Sequence, residues 1–216
     1  MNFQYITQEI PNISHQELVV SACEAGVKWV QLRMKNRPYN ECLQVAKESL
    51  AITRKYGAKL IINDFLDVAL AVGADGVHLG KEDMPVSEAK KAAPAGFIIG
   101  GTANTFEDIK KLAEEGANYI GCGPFKFTNT KKKLSPILGL EGYREILRLC
   151  RLQKIASPVI AIGGIVPSDI PSLKETGVYG IAVASALTNA ADKTQMVRDI
   201  YQLLEAASVG TIKSVQ

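Results

Sequence analysis

The chain has 216 residues, 47% of them hydrophobic and 22% charged, with a formal net charge of +3 at neutral pH. That is one domain's length of chain with ample material for a core, and the charge is too small for a nucleic-acid coat or a membrane-surface patch, which need large clustered fields. Cys23, Cys42, Cys122 and Cys150 lie far apart with no CxxC pair and no matching histidine spacing, which argues against zinc sites and disulfide frameworks and for small buried hydrophobes.

The first ten residues, MNFQYITQEI, lack the basic start and apolar core of a signal peptide. No apolar run approaches a membrane span, so a cytoplasmic protein is expected. Short apolar runs then recur along the chain: FQYIT from Phe3, WVQLRM from Trp29, LIIND from Leu60, GVHLG from Gly76, FIIGG from Phe97, YIGCG from Tyr119, VIAIGG from Val159 and GIAVAS from Gly180. Apolar runs without alternation describe strands buried on both faces, the signature of a parallel sheet. Between them, segments such as Tyr39 to Tyr56 and Phe106 to Glu115 change character every three or four residues, as helices with one face on a sheet must.

EAGVKWVQL, AVGADGVHL, EEGANYIGC and ETGVYGIAV share one template, a helix end, a glycine, a short link and a buried strand. Gly26, Gly73, Gly116 and Gly177 suit the left-handed conformation that closes a helix. Eight strands, alternate ones prepared in the same way, predict an α/β protein of the (β/α)8 TIM-barrel class rather than an open doubly wound sheet. A single barrel domain is expected over residues 1–206. Residues 207–216 lose helical patterning and read as a frayed tail.

In a barrel of this kind the chemistry belongs at the carboxyl ends of the strands. In order, those ends carry Gln31, Arg33 and Lys35, then Asn63 and Asp64, Asp83, Thr102, the stretch GPFKFTNTKKK from Gly123 to Lys133, Gly163-Gly164 and finally Ala184-Ser185. Starts of the sixth and seventh runs lie forty residues apart (119 to 159), and the surplus is the lysine-rich stretch, which a lean barrel would use as a lid or clamp. Arg33, Lys35 and Lys131 bring cations to the same rim as the carboxylates of Asp64 and Asp83. A magnesium diphosphate resolves that conflict, because two carboxylates can hold a hard cation whose bridged phosphate oxygens also accept from arginine and lysine. Glycines in IGGI, Ile162 to Ile165, and the AVAS segment, Ala182 to Ser185, suggest a second anion site built on bare backbone N–H groups.

Each feature also has a plainer reading. Asn63-Asp64 could cap a helix, Arg33 and Lys35 could be rim charges, the lysines could be a solvated loop, and His78 reads as a core group. Their shared placement after strands at one end is what favours a site.

The chain resembles the thiamine phosphate synthase family, in QLRMK at 31–35, IINDFLDVALAVGADGVHLGKED at 61–83, IIGGTANT at 98–105, GPFKFTNTKK at 123–132, AIGGI at 161–165 and GIAVASAL at 180–187. The resemblance implies an enzyme that joins a hydroxymethylpyrimidine diphosphate to a thiazole phosphate and releases diphosphate, with Mg2+ as cofactor, small molecules as substrates, and neither nucleic acid nor membrane as partner. A homodimer stays open. By position, Gln31, Leu32, Arg33, Met34, Lys35, Asn63, Thr102 and Lys131 would bind the pyrimidine diphosphate, Arg33, Lys35 and Lys131 serving catalysis. Asp64 and Asp83 would hold the metal. Thr128, Asn129, Thr130, Gly164, Ala184 and Ser185 would bind the thiazole phosphate.

The chain departs from the family's pattern at Phe65, Lys81, Asn104, Phe127 and Lys133, where many relatives have aspartate, glutamine, histidine, proline and aspartate. Two rival readings are a thiazole tautomerase of the same fold and a non-catalytic precursor-binding regulator. Arg33, Lys35, Asp64 and Asp83 favour the synthase, since a tautomerase has no diphosphate to hold, and Asn104 replaces the histidine at the position that resembles the tautomerase's acid–base residue.

Overall fold

The computed structural model of the protein describes residues 1–128 and 136–206. Strands β1 (Phe3–Ile6), β2 (Trp29–Leu32), β3 (Lys59–Asn63), β4 (Gly76–Leu79), β5 (Ile98–Ala103), β6 (Tyr119–Cys122), β7 (Val159–Ile162) and β8 (Gly180–Val183) pair in parallel and in sequence order, and β8 returns to β1 to close the barrel. The expected runs fall on these strands. Around them lie α1 (His15–Glu24), α2 (Tyr39–Lys55), α3 (Leu66–Val72), α4 (Val86–Ala92), α5 (Phe106–Glu114), α6 (Gly139–Leu152), α7 (Ile170–Thr176), α8 (Ser185–Thr188) and α9 (Lys193–Ala206).

Local chemistry sets the ends of these helices. Ser14 caps α1 and Thr105 caps α5, each in a reciprocal capping box, with Glu17 and Asp108 respectively. Gly26, Gly73, Gly116 and Gly177 all have positive φ, between 70° and 103°, as the repeated template requires.

Two apolar layers result. The larger joins the outward faces of the strands to the helices; the smaller fills the barrel with Ile6, Trp29, Ile61, Tyr119, Ile160 and Ala182. Trp29 meets Tyr119 edge to face at 4.7 Å between ring centroids. The two rings fit because β5 offers Gly100 opposite Tyr119, where any Cβ would overlap the phenol ring. All four cysteines are buried and free, and burial pushes the Cys23 thiol up to about 11, which suits inert packing groups. No described helix is long and apolar enough to cross a membrane.

Candidate active site

Parallel register places Asn63 beside His78 and Thr102 beside Gly121, so the strand ends share one rim. At the end of β2 the side chains alternate. Leu32 and Met34 enter the layer between sheet and helices, with Leu32 2% and Met34 5% exposed, while Gln31 is buried in the barrel. Leu32 and Met34 therefore face away from the rim, and a ligand there could meet only their backbone. Arg33 is tied down by its own N–H, which donates to Thr7 Oγ1 at 3.0 Å. Burial lowers the guanidinium's pKa, against the pull of Asp64 and Glu9; the group stays cationic at any physiological pH.

Asp64 follows β3 in a left-handed conformation, φ 67°, with its N–H donating to the His78 carbonyl at 2.8 Å. This turn bends the chain off the strand and brings the carboxylate to Lys35 Nζ, with which it forms an ion pair and hydrogen bond. Burial raises the Asp64 pKa and the neighbouring Asp83 carboxyl raises it further, while Lys35 opposes both. Asp83 itself is oriented by the turn after β4, accepting from the Gly80 N–H at 2.6 Å. Asn63 Nδ2 is a buried donor without a partner among the described residues. The rim thus sets a buried amide donor near two adjacent carboxylates and two cations, groups that could take an anion and a hard cation.

On the opposite side, Gly163 and Gly164 have φ values of 98° and 68°. The segment after β6 lies against them: Phe125 N–H donates to the Ile162 carbonyl at 2.8 Å and Lys126 N–H to the Gly163 carbonyl at 2.9 Å. A side chain at Gly164 would come within 2.7 Å of the Phe127 carbonyl, so glycine is what allows this approach. Ala184 and exposed Ser185 lead into α8 at the same end, and Thr128 is half-buried.

The family model for thiamine monophosphate synthase matches residues 3–187. The chain belongs to that family. Within it, thiamine-phosphate synthases from Flavobacterium johnsoniae and Phocaeicola vulgatus are 47% and 46% identical over 203 residues, covering 94% of this chain and 96% and 98% of theirs. A thiamine phosphate pyrophosphorylase from Pyrococcus furiosus superposes with a TM-score of 0.81 at 36% identity, covering 95% of this chain and 96% of that one.

Against the family's pattern, the departures have structural partners. Lys81 pairs with Asp108 at 2.5 Å, binding the turn after β4 to the start of α5. The Asn104 amide donates to the Gly123 carbonyl, and its N–H to Asp108 at 2.8 Å. Phe65 packs half-buried against the core and lines a small cavity with Leu32, Met34 and Cys42. Phe127 is 66% exposed. Lys133 lies outside the described residues, as do Asn129, Thr130, Lys131 and Lys132.

The rim thus gathers Arg33, Lys35, Asn63, Asp64 and Asp83. Thr102 stands at the same end, bonded to His78. Sequence reasoning missed Thr7, whose hydroxyl fixes the Arg33 backbone, and the interior pair Gln4 and Tyr119; a glutamine inside the first apolar run was the visible signal for the latter.

Proposed function

We propose that the chain couples a hydroxymethylpyrimidine diphosphate to a thiazole phosphate. The bond between the pyrimidine's methylene carbon and the diphosphate oxygen breaks with its electron pair leaving on oxygen. The electron-rich aminopyrimidine stabilises the carbocation, and the thiazole nitrogen's lone pair closes the new C–N bond. No side-chain nucleophile is needed.

What supports this reading is the convergence at one rim of two cations, two carboxylates and an amide without a partner among the described residues, in a chain of this family. Arg33 and Lys35 would receive the charge that develops on the departing diphosphate, the place where electrostatic stabilisation contributes most. Asn63 would donate to it. Lys131 would add a third cation from the segment after β6.

Asp64 and Asp83 suit Mg2+, which takes carboxylates together with substrate phosphates and water. Among the described residues no cluster of three or more His, Cys, Asp and Glu side chains assembles, so the pair would need substrate oxygens to complete a coordination shell. When bound there, the ion would supply positive charge to the leaving group. Gly164, Ala184, Ser185 and Thr128, with Asn129 and Thr130, would hold the thiazole phosphate at the opposite side. Residues 1–206 would form the catalytic domain, and free buried thiols suit a cytoplasmic setting.

Purified protein incubated with both substrates and magnesium should release diphosphate in step with thiamine phosphate. Absence of diphosphate above the blank, with both substrates still bound, would remove the transferase reading.

A further inference from the structure

Beneath the rim, five side chains from five strands make one hydrogen-bonded chain through the barrel interior. Gln31 Nε2 donates to Gln4 Oε1 at 3.1 Å, and Gln4 Nε2 donates to Tyr119 OH at 3.3 Å. Tyr119 OH lies 3.0 Å from His78 Nδ1, and His78 Nε2 lies 2.9 Å from Thr102 Oγ1. The two ends, Gln31 and Thr102, are assigned to the pyrimidine diphosphate. The three middle residues have no part in the chemistry so far, yet Gln4, Tyr119 and His78 are all less than a tenth exposed.

The sense of the chain follows from what each group can donate. A phenol has one proton, and a neutral imidazole has one N–H. Tyr119 accepts from Gln4 and is also hydrogen-bonded by the Gln31 amide, so its lone pairs are engaged and its own proton goes to His78 Nδ1; burial weakens the phenol's acidity and keeps that proton on oxygen. His78 is then protonated on Nε2 and donates to Thr102 Oγ1. Thr102 has accepted its bond from below, so its hydroxyl proton is free to turn to a ligand. Gln31 turns its amide N–H groups to Gln4 and Tyr119 and keeps its amide oxygen. Run in reverse, the chain would draw the Thr102 proton down to His78 and leave only lone pairs facing an anion.

We propose that Gln4, Tyr119 and His78 are positioning residues whose one-way hydrogen-bond chain presets Thr102 as a donor to the diphosphate and Gln31 as an acceptor for the pyrimidine's amino group. The inference rests on the pyrimidine transfer proposed above.

Two measurements test it. Nitrogen-15 NMR of the His78 imidazole in the ligand-free protein should show the neutral form with its proton on Nε2; a proton on Nδ1, or an imidazolium at pH 7, would overturn the proposal. Tyr119→Phe keeps the ring against Trp29 and removes the middle link. Its KM for the pyrimidine diphosphate should rise about tenfold, the equivalent of roughly one hydrogen bond, with kcat within about threefold and the KM for thiazole phosphate unchanged. Gln4→Leu should do the same. Unchanged KM values, or an equal rise for both substrates, in a folded variant would overturn it; if neither variant folds, the imidazole tautomer decides. Failure of the transfer reading looks different, since the wild-type protein would release no diphosphate while the tautomer could still be read.

Discussion

Lys35 and Asp64, twenty-nine residues apart, meet as an ion pair across the ends of β2 and β3. The lysine neutralises the carboxylate, and in the proposed reaction the same ammonium would serve the diphosphate. Lys35→Ala should therefore lower kcat/KM for the pyrimidine diphosphate by about 10²–10³, the usual consequence of removing one fixed charge stabiliser. Lys35 is 42% exposed but Asp64 only 15%, so losing the counter-charge should also lower the melting temperature by a few degrees at neutral pH while the protein stays folded. Steady-state kinetics with calorimetry checks both; full activity in the variant would remove Lys35 from the mechanism.

Asp83→Ala separates metal binding from folding. The carboxylate accepts the Gly80 N–H, and losing that bond should cost about 1 kcal/mol, a Tm decrease of a few degrees. Magnesium-dependent turnover should disappear. In the wild-type protein, adding excess EDTA should stop turnover and leave the circular dichroism unchanged. Turnover persisting in either experiment would contradict the metal assignment.

Asp108 ties three things together: it caps α5 with Thr105, accepts from the Asn104 N–H and pairs with Lys81. Burial alone would raise its pKa, but Lys81 and the backbone N–H groups prevail and lower it. A carboxylate depressed in the folded state contributes stability that is present above its unfolded value, about 3.9, and is lost as pH falls through the folded value. Asp108→Ala should thus be less stable than wild type by about 1–2 kcal/mol at pH 7, and the gap should narrow at pH 3. Urea unfolding at both pH values measures it; a gap equal at both would refute the ionic part of this role.

The barrel was legible because its evidence in the sequence is local. Eight apolar runs and four helix-closing glycines can be read without knowing what touches what, and the strands start at or within one residue of the expected positions. The rim residues were legible by the same logic, since a strand end is a place in the chain. What could not be read was side-chain pairing across the closed sheet. Lys81 looked like a changed pocket residue, but the pairing of β4 with β5 brings it to Asp108. Leu32 and Met34 sit beside the rim residues in sequence, yet strand alternation buries them on the other face. Gln4 and Tyr119 are 115 residues apart and meet only because both strands line the same interior.

Gly100 tests that interior from the packing side. Tyr119 occupies the space a Cβ at Gly100 would need, and the ring is wedged between this glycine and Trp29. Gly100→Ala must therefore push the phenol aside, an overpacking cost of about 1–3 kcal/mol. A displaced ring takes its hydroxyl away from both Gln4 and His78, so stability and pyrimidine binding should fall together: a lower Tm and a higher KM for the pyrimidine diphosphate, with the KM for thiazole phosphate little changed. Thermal unfolding and two-substrate kinetics on one preparation check this coupling. A destabilised variant with unaltered pyrimidine binding would mean that the barrel tolerates movement of Tyr119 without passing it to the rim.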